Sequence, residues 1–319
     1  MAVTMRSRFV KRHNQDIVYR WEGNPLINIY DLSFKCSNIH NAGTVFFKDE
    51  ILLLITIEHL SGQCSIHLAR QDANGYYQVE PNPFLSPSTE SKYKQHESHG
   101  VSDARVTFLE GMFYIMYNAF GDHGYRLGLA KTGDFQSVER MGFISEPDTK
   151  AGALFPARIK GRYARLERPG HGSSIWITYS DDLVYWGSSE IVISPRDGFW
   201  DANRIGTGAP PIEIDEGWLV IYYGIKDTSA GPICRMGAVI LDKQEPTNVI
   251  GRSNIPILSP RENYERIGDL SNIVFPTGAV TGSNGDLNIF YGASNSCICV
   301  GTSTFEQIIK NCIESQEEY

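Results

Sequence analysis

Short β-rich runs broken by polar turns recur along the chain, and five of them share one form. They are Thr44–Ile55, Arg105–Tyr117, Ala157–Leu166, Pro211–Tyr223 and Ala279–Tyr291. Each has an apolar run, a turn of Gly, Asn, Asp or Lys-Asp, and a second apolar run, which is a hairpin signature. The copies sit roughly 50 to 70 residues apart, the spacing of propeller blades and similar arrays. Second hairpins lie between them: Cys64–Val79, Tyr125–Arg140, Ser174–Gly187 and a weaker one at Met236–Asp242. Each of these alternates apolar and polar positions around a turn rich in Asp, Gly or Asn. Two hairpins per unit make a four-stranded blade, and such short strands bury their faces by stacking blade on blade. The pattern predicts an all-β fold, a five-bladed β-propeller, with a many-stranded sandwich as the structural alternative. A short C-terminal helix is expected over Ser303–Glu314, from its capping-box-like start and helical apolar spacing.

Composition narrows the function. The 319 residues suit one domain spanning 1–319, because no Pro/Gly/Ser-rich linker or charge block divides them. The 29 Lys+Arg against 37 Asp+Glu give a formal net charge of -8. That balance argues against nucleic-acid and anionic-membrane partners, which call for a basic face. Six cysteines lack metal-ligand spacing, Cys297-Ile-Cys299 reading as strand thiols, and His40, His59, His96, His99 and His123 form no ligand pair. No metal is expected. No signal-length apolar stretch opens the chain and no run reaches about 18 apolar residues, so a cytoplasmic protein with reduced thiols is expected.

Candidate chemistry gathers at strand starts, which line the axis of a propeller. Asp103 lies in His99-Gly-Val-Ser-Asp-Ala-Arg, just before the second hairpin. Arg105 beside it reads on its own as half of a structural ion pair, since a neighbouring guanidinium favours the charged carboxylate. Lys150, Arg168 and Arg204 stand at the starts or ends of successive repeats. Brought to one axis they would form an anion pocket through charge-assisted hydrogen bonds; separately they would pair with surface carboxylates. Gly206-Thr-Gly208 and Gly121-Asp-His-Gly124 lack the strand-to-helix setting of a phosphate loop, which sets nucleotides aside.

Taken together, the phrases resemble glycoside hydrolase family 130, the β-mannoside phosphorylases and hydrolases. They run in family order from Tyr19-Arg-Trp-Glu-Gly-Asn-Pro-Leu through Gly100-Val-Ser-Asp-Ala-Arg, Leu154-Phe-Pro, Glu167-Arg-Pro and Ile205-Gly-Thr-Gly-Ala-Pro-Pro to Phe290-Tyr-Gly-Ala. The resemblance implies a five-bladed propeller and one catalytic acid, matching Asp103. That acid protonates the glycosidic oxygen, relayed through a sugar hydroxyl, while phosphate attacks the anomeric carbon from the opposite face with inversion. It also implies a phosphate pocket at Lys150, Arg168 and Arg204, joined by Tyr223 where relatives carry histidine, with Cys234 near a family tyrosine. Asn41, Glu58, Arg105, Asp201 and Asn295 are the sugar-side candidates. Thr56 and Asn295 depart from the family's sugar-contacting arginine and aspartate, which leaves the sugar open.

The leading reading is therefore an inverting phosphorylase that cleaves a β-1,4- or β-1,2-linked mannoside with inorganic phosphate to α-mannose 1-phosphate. Phosphate is a co-substrate, and no cofactor is implied. The enzyme alternative is an inverting β-mannosidase, which needs a second carboxylate to activate water, nominally Asp201. The third reading is a non-catalytic propeller that binds a glycan. Self-association into a homo-oligomer stays open.

Overall fold

The computed structural model describes residues 9–10, 16–170 and 172–314. The chain is all-β, with short α-helices at Ser91–Lys94, Asn263–Arg266 and Phe305–Glu314. Its strands fall into five antiparallel groups, each a meander of neighbours in sequence. The first is Asn38–Phe47, Glu50–Glu58, Cys64–Gln71 and Tyr77–Val79; the second is Gly100–Leu109, Met112–Gly121, Gly124–Thr132 and Glu139–Phe143. One parallel pair, Cys64 with Gly100, joins these two into a single sheet. The third group is Thr149–Leu154, Tyr163–Pro169, Ile175–Ser180 and Trp186–Ile193. The fourth is Arg204–Thr207, Gly217–Thr228, Gly231–Leu241 and Val249–Arg252. The fifth is Val274–Thr281, Leu287–Ala293 and Cys297–Ser303, completed by Tyr19–Trp21 from the other end of the chain.

Three of the five repeated hairpins form as read. The third and fourth are displaced. At Ala157–Leu166 the turn closes only one isolated bridge, Ile159 with Arg162, and the first strand of that group is the earlier Thr149–Leu154. At Pro211–Tyr223 the hairpin exists through Ile212–Ile214, yet Arg204–Thr207 is the first strand, pairing further along the same partner. The short phrases Lys150–Leu154 and Arg204–Thr207 carry too few alternating positions to declare themselves strands in isolation.

Burial explains how the groups assemble. Each buries its apolar faces against two others. Ile115 and Tyr117 of the second group pack on Leu52, Leu54 and Ile66 of the first, and Met116, Leu127 and Leu129 pack on Leu154 and Tyr163 of the third. The third then packs on Tyr222 and Val239 of the fourth, the fourth on Ile289 and Tyr291 of the fifth, and the fifth on Ile39 and Ile55 of the first. At ~25 cal/mol per Å² of apolar surface, such faces supply most of the driving force.

Arg20 fastens the Tyr19–Trp21 strand. Its buried guanidinium donates to Glu265 at 2.7 and 3.0 Å, to Asp16 at 2.9 Å and to the carbonyl of Ser259 at 2.7 Å. The C-terminal helix starts at a Thr304 cap, whose hydroxyl accepts from the Gln307 amide at 3.1 Å. Its Ile308 and Cys312 are fully buried. No described helix is long and apolar enough to cross a membrane.

Candidate active site

The first strands of the groups are interrupted where they approach one another. Pairing shifts between His40 and Ala42, between Ser102 and Arg105, and between Lys150 and Ala153. The residues inside these bulges, Asn41, Asp103 and Ala151, all have left-handed backbone, with φ of 52, 56 and 54°. A bulge re-aims a side chain out of the alternation of its strand. Asn and Asp tolerate that conformation better than other residues with a Cβ, because their short polar side chains bond locally. The bulges thus turn Asn41 and Asp103 onto the wall of a cavity of about 830 Å³.

Asp103 is held by amides on two sides. Asn41 Nδ2 donates to its Oδ1 at 2.7 Å, and Asn118 Nδ2 donates to its Oδ2 at 2.8 Å. Its own backbone N–H donates to Thr56 Oγ1 at 3.0 Å. Asn118 stands directly opposite Ser102 in the strand pairing, so the bulge brings the two side chains together. Both hydrogen-bond donors to the carboxyl are neutral amides. The side chain is oriented without being locked in an ion pair, which suits a group that must gain and lose a proton.

Arg105 does not form the expected ion pair with Asp103. Its side chain is 1% exposed, and the guanidinium donates to three backbone carbonyls: Gly208 at 2.6 Å, Thr207 at 3.0 Å and Asp103 at 3.1 Å. Burial pulls its pKa below the usual arginine value, with Asp103 opposing. It ties the second group to the fourth at the cavity wall, which it helps to line.

The three predicted cations meet on one wall with Asp103. Lys150 and Arg168 are directly paired across neighbouring strands. The Lys150 ammonium lies over the Tyr125 ring, 3.2 Å from its centre. Burial lowers its pKa to about 8, Arg168 and Arg204 add repulsion, and Asp103 and Asp148 oppose the fall. Arg168 donates from Nε to the Tyr223 hydroxyl at 3.2 Å, and the Tyr223 ring packs on Phe275 at 4.4 Å. Arg204 is exposed at the cavity edge. Two like charges on adjacent strands, with a third nearby, give this part of the cavity a cationic wall suited to an anion.

The remaining candidates divide. Asn295 lines the cavity and donates to Asp269 Oδ2 at 2.8 Å. Cys234 also lines it, buried, with its thiol pushed up to about 12 by desolvation. Glu58 ends the second strand of the first group and is not on the cavity wall, although its charge is felt at His40 and Cys64. Asp201 is away from it altogether. Fully buried, Asp201 accepts from Arg252 at 2.7 Å, from Arg196 at 2.9 Å and from the Tyr222 hydroxyl at 2.8 Å. Held by these partners away from the cavity, Asp201 is not placed to activate water or to touch a sugar there, contrary to both expectations. Sequence reasoning missed Asn118, Asp269 and the stacked pair Phe120 and Tyr125, whose rings lie 4.2 Å apart at 10°. Asn118 ends the apolar run of the second repeat, and its polarity there was the available signal.

The family model for β-1,4-mannooligosaccharide phosphorylases, glycoside hydrolase family 130, matches residues 9–314. The chain belongs to family 130. Among its curated relatives, a 1,2-β-oligomannan phosphorylase of Thermoanaerobacter is 34% identical over 71% of this chain and 74% of the relative. A β-1,4-mannooligosaccharide phosphorylase of Ruminococcus albus is 29% identical, covering 92% of this chain and 90% of its own. The solved β-1,2-mannobiose phosphorylase of Listeria innocua, in complex with β-1,2-mannobiose, superposes with a TM-score of 0.83 at 27% identity, over 92% of this chain and 99% of that one. The Tyr223 hydroxyl, expected beside a phosphate, accepts from Arg168.

Proposed function

We propose that the protein is an inverting β-mannoside phosphorylase. The observation that carries this reading is the convergence of Lys150, Arg168 and Arg204 on the cavity that holds Asp103. In this reading phosphate sits against the three cations and the Tyr223 hydroxyl. Asp103, kept in place by Asn41 and Asn118, gives its proton toward the glycosidic oxygen, relayed by a sugar hydroxyl. A phosphate oxygen attacks the anomeric carbon from the opposite face as the bond to the leaving sugar breaks. The products are α-mannose 1-phosphate, inverted, and a sugar with a free hydroxyl; Asp103 is left as carboxylate. One protein carboxyl group suffices because the nucleophile is itself an anion, whereas inverting hydrolysis needs a second to activate water. The cations hold the nucleophile oriented and lower the penalty of bringing its charge out of water. Asn295 and Asp269 are read as hydroxyl contacts for the sugar.

The five groups are read as the blades of one five-bladed propeller spanning 1–319. Support comes from the cyclic order of the buried clusters, first on second and onward to fifth on first. Six thiols in no disulfide fit a reducing cytoplasm.

The test is incubation with β-1,2- and β-1,4-linked mannosides, with and without phosphate. Phosphate-dependent release of α-mannose 1-phosphate is expected. Free mannose released equally under both conditions would replace this reading with hydrolysis.

A further inference from the structure

On the other side of the Gly217–Thr228/Gly231–Leu241 hairpin from the catalytic wall lies a second cleft, of about 740 Å³. Cys234 faces the catalytic cavity, while the next residue, Arg235, faces the cleft. Lys226, Arg261 and Arg266 join it there, so four cations line one depression and no carboxylate does. Arg261 apart, none of them is paired with a carboxylate among the described residues. Arg261 pairs with Asp16 at 3.3 Å, and Lys226 reaches only a backbone carbonyl, that of Gly198 at 3.4 Å. Arg235 meets no carboxylate among the described residues, only the charge of Arg261, and Arg266 is exposed. Two buried donors on this wall are also unmatched: Nη1 of Arg235 and Nε1 of Trp200, a residue that is 8% exposed. Buried polar nitrogens normally find an acceptor.

We propose that this cleft binds a phosphate group, either inorganic phosphate or the phosphate end of a sugar phosphate, separately from the catalytic cavity. Guanidinium forks match the oxygens of phosphate in pairs, and a dianion is the ligand that clustered arginines and a lysine neutralise best. Apolar Ile233, Pro256 and Pro260 make up the remaining wall. Asn272 belongs to both walls, and its carbonyl accepts from the Cys234 amide at 3.0 Å. The two phosphate positions therefore flank one hairpin and share one residue.

Calorimetric titration of the full chain tests this, with inorganic phosphate and separately with α-mannose 1-phosphate. Wild type should take up two equivalents of inorganic phosphate. The Arg235→Ala/Arg266→Ala protein should bind the second about 100-fold more weakly, since two charge-assisted contacts are lost, while Lys150→Ala/Arg168→Ala should lose only the first. Arg266→Ala alone, at an exposed position, gives the same direction without risk to folding. If only the sugar phosphate fills the cleft, the ligand is the phosphate monoester; if both do, the phosphate group alone suffices. One equivalent with each of the two probes, indifferent to Arg235 and Arg266, would overturn the proposal. So would a cleft that binds neither probe but becomes covered when two copies associate. Because the cleft is read by binding, a failure of phosphorolysis leaves its result standing.

Discussion

Asn118 reaches Oδ2 of Asp103 at 2.8 Å from the strand that pairs with the one carrying the acid. With Asn41 on Oδ1, the carboxyl is gripped from two different strand groups, so its direction depends on how those groups pack. Asn118→Ala should lower kcat/KM about 10- to 100-fold, the scale of losing exact placement of a reacting group, with little change in Tm. Asp103→Asn should lower phosphorolysis by about 1,000-fold or more, since no proton donor remains. Full activity in Asn118→Ala would refute the orienting role; product assays and thermal melts decide it.

The charge on Lys150 sets an alkaline limit. Its pKa lies near 8, so the ammonium is present below that pH and is lost as pH rises through it. Phosphate affinity should therefore fall above about pH 8. Folding should respond with the opposite sign. The unfolded chain keeps this proton up to the ordinary value of 10.5, so between about 8 and 10.5 the unfolded state binds more protons and stability contributed by this site rises with pH. Lys150→Arg should move the alkaline rise in phosphate KM to higher pH. An unchanged pH profile in that variant would remove Lys150 from the pocket.

Arg105 satisfies carbonyls of Asp103, Thr207 and Gly208 with one planar group. Arg105→Ala would leave these acceptors without their donor, and a destabilisation of about 3–5 kcal/mol is expected in urea unfolding. Lysine, a point charge, should not rescue it, because it cannot span three acceptors in a plane.

Asp201 offers the complementary case. Removing it by Asp201→Ala strands Arg196 and Arg252 around an empty position, and a loss of about 3–5 kcal/mol follows. The phosphorolysis rate of the protein that remains folded should stay within about threefold of wild type, a margin smaller than the removal of any acid or base would allow. A collapse of kcat in a fully folded Asp201→Ala would return it to the chemistry.

Gly206 packs against the Tyr223 hydroxyl, and a Cβ there would overlap the ring oxygen. Gly206→Ala should push that hydroxyl away from Arg168 and raise the phosphate KM. Tyr223→Phe should do so too, by about three- to tenfold, the worth of one hydrogen bond. The mannoside KM should move little in either variant. Steady-state kinetics with each substrate varied in turn checks the separation.

Three of the five repeated hairpins, the C-terminal helix and the candidates Asp103, Lys150, Arg168 and Arg204 were legible along the chain, because alternation and turn chemistry are local and charged residues at strand ends stand out from them; Tyr223 entered through the family resemblance. Other features were not. The bulges that turn Asn41 and Asp103 inward look in sequence like ordinary strand residues, since a left-handed φ at Asn or Asp leaves no compositional trace. Asn118 gained its meaning only from lying opposite Ser102. Arg105 and Asp201 show the limit most plainly: both read as charged groups near the chemistry, and both are consumed by buried partners from distant strands. Sequence by itself determined most of the strands and the charges available to the cavity; two first strands, Thr149–Leu154 and Arg204–Thr207, had to be found in the fold. Tertiary structure alone decided which of those charges stay free for a ligand, because that depends on desolvation and on partners a hundred residues away.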